Sequence, residues 1–267
     1  GVRLVGSEMC IRDSNLGLRP IKLKDWLASN PSDEILNHKK KLLSTNYERV
    51  VSTVNHPDNP EFILSKHFQT NSIYPDLIAN ISLEVEDDLC IIESQGDQKL
   101  LAACVCSPSY WKLSEKIGKP LLSIHKPVKT LNSKIGNSIN KFISQSPLLK
   151  PFVRENWFVH EDTDRFHDHS ERLKSNDPSN WFIRTERESI CKFSEKFSLF
   201  SINVRFQKLS YILDFDEAKT SLFQSLQNFD DDESSYFGGK MKINLLLDYL
   251  KSVSYTHLTL PTIAVVG

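Results

Sequence analysis

The stretch FSLFSINVRF, Phe197 to Phe206, alternates apolar and polar side chains along its second half. The two sets are Phe200, Ile202, Val204 and Phe206 on one side, and Ser201, Asn203 and Arg205 on the other. Successive side chains of a β-strand point to opposite faces of the sheet, so this alternation predicts a strand with one apolar face.

Four further stretches have the length and composition of strands. They are DLCIIES (Asp88 to Ser94), KLLAACVCS (Lys99 to Ser107), PFVRENWFVH (Pro151 to His160) and NWFIRTERES (Asn180 to Ser189). Only QGDQ separates the first two, which predicts a hairpin with a glycine-containing turn.

Helical patterns surround and interrupt these strands. The first third of the chain is predicted to be helical, mainly over DEILNHKKKLLSTNYERVV, and the last helix to end in NLLLDYLKS. Between the hairpin and the last three strands we expect a helix from Ser107 to Ile117 and another from Thr130 to Ser144. The run FDDDESSYFGGK, Phe229 to Lys240, is predicted to be a solvated loop, and its Gly-Gly-Lys lacks the glycine spacing of a phosphate-binding loop.

The predicted fold class is therefore α+β. The strands and helices follow the order β-β-α-α-β-β-β, with additional helices at both ends of the chain. This order is found in PAS-type domains, whose antiparallel sheet packs its helices on one side and holds a ligand between them, although many mixed domains share the same order.

Composition limits the classes of function. The formal net charge of the whole chain is -1, which gives no overall basic footprint for nucleic acid. No apolar run approaches the ~20 residues of a membrane-spanning helix. The cysteines form neither a CxxC pair nor a recognisable disulfide framework, so we expect a reduced, cytoplasmic protein that binds neither nucleic acid nor membrane.

Both ends of the chain look foreign to the protein. EMCIRDS (Glu8 to Ser14) and VSYTHL (Val253 to Leu258) are what the two strands of a common sequencing adaptor encode. We therefore expect residues 1–14 and 253–267 to be adaptor-derived, and residues 15–252 to form a single domain with a helical N-terminal extension.

Several residues are candidates for chemistry, each with a plainer alternative. His125 follows an apolar run and precedes a Lys-Pro step, where it could be an iron or zinc ligand or a structural histidine. His160, His167 and His169 lie among carboxylates, and could form a metal site or belong to a solvated loop. Cys104 and Cys106 share one face of a strand, and we interpret them as buried, unreactive thiols because we expect nothing basic nearby that would lower their pKa.

Arg184, Glu186 and Glu188 alternate along the fourth predicted strand. They could form a charge ladder on the protein surface, or they could be polar groups that point into an apolar cavity and contact a ligand. The residues alone do not choose between these interpretations.

The motif PSYWKLSEKIG, Pro108 to Gly118, followed by IHKPV, Ile124 to Val128, resembles the signature of the haem-dependent oxidative N-demethylase alpha-subunit family. Other blocks that resemble this family, in the same order, are NLGLRPIKLKDWL, EDDLCII, VRENWFV and RTERESI. The resemblance covers nearly all of residues 15–252. The sequence departs from the family at Glu188, where the family usually has Gln, and near Asn203, where Arg is usual.

The resemblance implies a domain that binds haem b without covalent attachment and uses O2 to demethylate a small methylated amine similar to dimethylamine. Electrons would come from NADPH through separate reductase subunits that carry FMN and a 2Fe-2S cluster. On this basis we expect His125 to ligate the iron and Glu186 to hold the amine or accept its proton. Arg184, Arg187, Asn203 and Arg205 are candidates for contacts with the haem propionates or with the site of O2.

Two other functions remain open at this point. A PAS-type haem domain could be a gas or ligand sensor without catalytic activity, and the departures at Glu188 and Asn203 are compatible with that. The fold could also be kept without haem, with a metal or no cofactor in its place.

Overall fold

A computed structural model describes residues 17–124 and 138–256. One seven-stranded sheet organises this part of the chain, with its strands in the order β1-β5-β6-β7-β3-β4-β2 and every neighbouring pair antiparallel. The strands are β1 (Arg19–Pro20), β2 (Val51–Thr53), β3 (Asp88–Glu93), β4 (Leu100–Cys104), β5 (Phe152–His160), β6 (Phe182–Lys192) and β7 (Phe197–Lys208).

The helices are α1 (Asp33–Thr45), α2 (Tyr47–Val50), α3 (Pro60–Ser65), α4 (Leu77–Ser82), α5 (Leu121–Ile124), α6 (described over 138–145), α7 (Asp216–Gln227), α8 (Asp231–Tyr236) and α9 (Lys240–Thr256). Short 3-10 turns occupy Leu23–Asp25, Leu113–Glu115, Pro178–Asn180 and Leu209–Asp214. Within the described ranges, no helix is both long and apolar enough to cross a membrane.

The fold class is α+β, as predicted, and the five long strands are those expected from the sequence. The structure adds two short strands that the predicted order omits, β1 beside β5 and β2 beside β4. Strands of two and three residues are too short to show a period of two, so pairing with a longer neighbour is what defines them.

The helix predicted from Ser107 to Ile117 is wrong. Only a 3-10 turn at Leu113–Glu115 forms there, because the backbone of this segment bonds to other parts of the protein. The Ser107 amide donates to Asp88 Oδ2 (2.7 Å), and the Tyr110 amide donates to the carbonyl of His167 (2.7 Å). Tyr110 also has a positive φ of 62°, which an α-helix does not allow.

The loop predicted from Phe229 to Lys240 is also wrong, since α8 forms inside it. Asp230 caps this helix by accepting from the Glu233 amide, and the Glu233 side chain accepts from the Asp230 amide in return. This reciprocal capping box satisfies two amides that would otherwise lack partners at the start of a helix. The spacing of Asp230 and Glu233 was visible in the sequence and could have predicted the helix.

The two faces of the sheet are covered by different elements. One face, which we call the core face, packs Leu89, Ile91 and Leu199 against buried residues of α1, α3 and α4. At the other end of the sheet, Trp157 and Ile183 pack with α7 and α9. The strand register places Trp157 and Ile183 on the same face as Leu199, so α7 and α9 extend the helical layer of the core face.

The opposite face, which we call the site face, carries Cys90, Ile190 and Phe200. These residues pack with side chains from the segment after β4 and from α5 and α6, including Leu113, Ile124 and Ile143. The segment between β4 and β5 thus forms a layer over the site face.

Candidate functional site

The register of the three longest strands places Arg184, Glu186 and Glu188 on the site face. Glu186 on β6 pairs with Asn156 on β5 and with Val204 on β7, so these three side chains point to the same side of the sheet. Along β6, Glu188 pairs with Arg154 and Ile202. Charged residues and the apolar stripe predicted from β7 therefore share one face.

The Arg184–Glu186 ion pair is buried. Arg184 Nε and Nη2 each lie 2.8 Å from Glu186 Oε1, and the two side chains are only 1% and 8% exposed. Arg184 Nη2 also donates to the Ser107 carbonyl at 2.5 Å, which ties β6 to the segment after β4. The buried Arg184 Nη1 and the second oxygen of Glu186, Oε2, have no hydrogen-bond partner among the described residues.

The pKa of Glu186 is raised above its ordinary value of 4.5, chiefly because burial disfavours the charged carboxylate. The Arg184 guanidinium opposes this rise, while the nearby carboxylates of Glu188 and Asp88 add to it. Glu188 and Asp88 have cations of their own nearby, Arg154 and Lys39, so Arg184 is the cation that balances Glu186 itself.

A second ion pair lies beside the first. Arg154 Nε contacts Glu188 Oε2, and the two side chains are 19% and 8% exposed. Glu188 stands where the resemblance expects Gln, and its negative charge is paired with Arg154 on the neighbouring strand.

Asp88 completes the acidic part of the site face. Its carboxylate accepts the backbone amides of Cys106 (2.9 Å) and Ser107 (2.7 Å). Complete burial raises the pKa of Asp88, although the charge of Lys39 and these two hydrogen bonds act in the opposite direction. Asp88, at the start of β3, therefore anchors the chain as it leaves β4.

Arg187, Asn203 and Arg205, also predicted as site residues, lie on the core face and not beside Glu186. Arg187 donates to the carbonyls of Asp25 (2.6 Å) and Trp26 (2.9 Å), and Arg205 Nε donates to Asn203 Oδ1 (3.2 Å). Each is an odd number of positions away from Glu186 or its partner Val204, so the alternation of the strands turns it to the other side. Of the predicted site residues in the described ranges, only Arg184 and Glu186 are brought together on the site face.

His125, predicted as the iron ligand, lies outside the described residues. The residue before it, Ile124, is described and packs with the apolar cluster of the site face. Lys116 Nζ donates to the carbonyl of Ile124 at 2.9 Å, which fixes the end of α5. Ile139 and Ile143, where the description resumes, belong to the same cluster.

His160 is a site-face residue whose surroundings the sequence did not reveal. It ends β5 on the same side as Arg184, is 1% exposed, and its Nε2 lies 3.1 Å from Ser109 Oγ. Burial is the main reason that the pKa of His160 falls to about 2, with the charge of Arg184 adding to the effect. The imidazole is therefore neutral at physiological pH, and its buried Nδ1 has no partner among the described residues.

The histidine-rich stretch around His160 is partly buried and not simply a solvated loop. The Tyr110 ring stacks on His167 with centroids 4.8 Å apart, and His167 Nε2 lies 3.1 Å from Asp162 Oδ1. Within 17–124 and 138–256, no three His, Cys, Asp or Glu side chains are grouped so that they could hold a metal ion.

Cys104 and Cys106 are both buried, as predicted. The expectation that nothing basic lies nearby is wrong, because Lys39 from α1 reaches this region and lowers the pKa of Cys104. A larger part of that lowering comes from the hydrogen bond that the Cys106 thiol offers to Cys104. Sequence distance hid this contact, since Lys39 and Cys104 come together only through the packing of α1.

A polar groove of about 410 Å³ lies apart from the predicted site residues. Its lining residues are Glu48, Arg49, Lys112, Leu113, Ser114, Asp168 and His169. Arg49 and Asp168 already form an ion pair across it, with Arg49 Nη2 2.5 Å from Asp168 Oδ2.

A comparison of the sequence with known protein families shows which family the chain belongs to. Residues 33–243 match the family described as haem-dependent oxidative N-demethylase, alpha subunit-like. The chain belongs to this family. The match includes every strand of the sheet except β1, and both ion pairs of the site face. No curated protein matches the chain.

The site face fits the haem that gives the family its name. Haem needs an apolar surface for its macrocycle and polar or cationic groups for its carboxylates. Half-buried Phe200 and Ile202 supply apolar surface, and the buried Arg184 retains a donor, Nη1, without a partner among the described residues.

Proposed function

We propose that this protein is a haem-dependent enzyme that uses O2 to remove a methyl group from a small methylated amine, with electrons from NADPH supplied through separate reductase subunits. Bound haem would supply the oxidising chemistry. Membership of the N-demethylase family supports the reaction class, and the buried carboxylate of Glu186 supports an amine as substrate.

Glu186 is proposed as the residue that binds the amine. A protonated methylamine carries a positive charge on a small apolar group, which matches a buried carboxylate beside the apolar side chains of β7. Arg184 occupies only Oε1, so Oε2 is the oxygen that would accept the N–H of the amine. A raised pKa also suits Glu186 for taking a proton from the amine before oxidation.

His125 is proposed as the iron ligand within a PAS-type arrangement of sheet and covering helices. Ile124 and Ile143, on either side of the stretch that contains it, pack with the apolar cluster of the site face, which supports a ligand from this part of the chain. Arg184 is proposed to contact a haem propionate or the O2 site through Nη1.

The test is to load the protein with haem and to compare wild type with His125→Ala by absorption and electron paramagnetic resonance spectroscopy. We expect a Soret band in the wild type that shifts on addition of dimethylamine, and altered ligation in the variant. Unchanged ligation in the variant would show that another residue ligates the iron, and His56, His67 and His160 are the next candidates. Absence of a Soret band in the wild type would refute haem binding.

Turnover separates the enzyme from a sensor. We expect formaldehyde to form from dimethylamine when NADPH, O2 and a reductase are supplied. Haem that binds gases but neither responds to amines nor produces formaldehyde would identify a sensor instead.

A further inference from the structure

The charge of this chain is distributed very unevenly. Residues 99–150 contain nine lysines and one glutamate, with no arginine and no aspartate. The whole chain has a net charge of -1, so this segment carries +8 and the rest of the chain carries -9. The near-neutral total therefore conceals a strongly basic segment.

Hydrogen bonds join the described parts of this segment around the turn between β3 and β4 and the end of β6. The Leu121 amide donates to the carbonyl of Gln98 (3.2 Å), and Gln98 Nε2 donates to the carbonyl of Asn140 on α6 (2.8 Å). Lys192 Nζ then donates to the carbonyl of Ser144 (3.2 Å), and the Leu149 amide donates to the carbonyl of Lys192 (2.9 Å). These bonds join α5, the hairpin turn, α6 and the start of β5.

The exposed lysines and leucines on or next to these elements are Lys119, Lys141 and Lys150, together with Leu122, Leu148 and Leu149. We call these six residues the lysine surface. Within the described ranges the three lysines make no ion pair, and the three leucines are 36%, 45% and 42% exposed. Exposed apolar side chains that are rimmed by polar groups are typical of a surface that meets another protein.

We propose that the lysine surface is the docking site for an acidic electron-transfer protein that delivers electrons to the site face. This inference rests on the proposed function, because it assumes a redox centre beneath the layer formed by α5 and α6. Opposite charges guide the two proteins together, and a few apolar contacts suffice for the short-lived complex that electron transfer requires.

The composition of the surface favours a protein over a polyanion. Lysine binds phosphate as a point charge, without the two directed hydrogen bonds that arginine makes, and residues 99–150 contain no arginine. Three exposed leucines would also be left without a role against a sugar-phosphate backbone.

The test compares two charge-reversal variants of the full-length protein. In the first, Lys119, Lys141 and Lys150 of the lysine surface become Glu. In the matched control, Lys24, Lys40 and Lys41 become Glu, which changes the net charge equally. These control lysines are exposed, and they lie on or next to elements that pack on the core face. The probe is an acidic plant-type [2Fe-2S] ferredoxin.

Two quantities are measured, the affinity for the oxidised ferredoxin and the rate at which the reduced ferredoxin reduces ferric haem. We expect both to fall at least about tenfold in the lysine-surface variant, to change less than about twofold in the control, and to weaken with added salt in the wild type. The variant with Gln at the three positions should fall by an intermediate factor, and its melting temperature checks the fold. Leu148→Ser with Leu149→Ser should weaken binding without changing its salt dependence.

Equal losses in the two charge-reversal variants, or wild-type binding that salt does not affect, would overturn the docking site. So would tighter binding of duplex DNA or of anionic lipid vesicles than of ferredoxin. Photochemical reduction by a small flavin separates the two proposals. If the flavin reduces the haem but ferredoxin does not, the docking site is refuted and the proposed function is not. If the protein binds ferredoxin but no haem, the proposed function is refuted and the docking site is supported.

Discussion

The core face and the site face of the sheet contain similar residue types but use them differently. On the core face, Lys39 of α1 donates to three carbonyls, those of Ser82 (2.8 Å), Val85 (2.9 Å) and Asp87 (2.7 Å), so its ammonium group has a partner for every proton. On the site face, Arg184 and His160 each keep one buried nitrogen without a partner among the described residues, whereas the buried nitrogens that lack a partner in the clusters of the core face are the uncharged indole nitrogens of Trp26, Trp157 and Trp181.

This difference in the pairing of ionisable side chains indicates which face stabilises the fold and which face binds a ligand. Polar groups that are buried and fully paired fix a structure, whereas buried polar groups without partners cost free energy unless a ligand or water satisfies them. We therefore expect substitutions on the core face to change stability, and substitutions on the site face to change ligand binding and catalysis.

The largest expected effect compares an apolar residue from each face. Leu199→Ala on the core face should lower the free energy of unfolding by about 2–5 kcal/mol, because it leaves a cavity among fully buried residues. Ile202→Ala on the site face, which is half-buried, should cost about 1 kcal/mol or less and should weaken haem binding about fivefold. Urea denaturation and haem titration measure the two effects, and a reversed pattern would contradict the assignment of the faces.

The second comparison is between neighbouring carboxylates on the site face. Glu186→Gln should lower kcat/KM for dimethylamine at least about 100-fold, because the amide keeps an oxygen for Arg184 but cannot balance an ammonium ion or accept its proton. Glu188→Gln should lower kcat/KM less than about tenfold, since Glu188 is already paired with Arg154. Formaldehyde release and the Soret band are measured for both variants, and equal losses of activity would remove Glu186 from its proposed role.

The smallest expected effect concerns the buried imidazole of His160. An unfolded histidine takes up a proton below pH 6.5, whereas folded His160 stays neutral down to about pH 2, so this residue lowers stability as the pH falls below 6.5. Between pH 6.5 and 5 the unfolded histidine goes from half protonated to almost fully protonated, which lowers the free energy of unfolding by about 1.6 kcal/mol. His160→Gln should remove the part of this acid-induced loss of stability that comes from His160.

Urea denaturation at several pH values measures this effect. The control is His169→Gln, because the His169 side chain is 62% exposed. If the control and His160→Gln change the pH dependence of unfolding equally, His160 is not held neutral by its surroundings.

Local sequence patterns determined much of the fold. The period of two in β6 and β7 was strong enough to predict both strands and to place Arg184, Glu186 and Glu188 on one side. The family motif from Pro108 to Val128 carried the family assignment, which the match over residues 33–243 confirms. The alternation of side chains and the family motif are both properties of residues close together in sequence, so they could be recognised without the tertiary structure.

Tertiary structure decided which residues meet. Alternation along a strand shows that Arg184 and Arg187 point to opposite sides, but only the pairing of strands and the packing of α1 and α6 show which side is the interior of the fold and which carries the site. The segment after Ser107 has helical spacing, yet it bonds to Asp88, Arg184 and His167, because such contacts satisfy its backbone as well as a helix would. The burial that lowers the pKa of His160 and raises that of Glu186 likewise comes from residues distant in sequence, which no local pattern records.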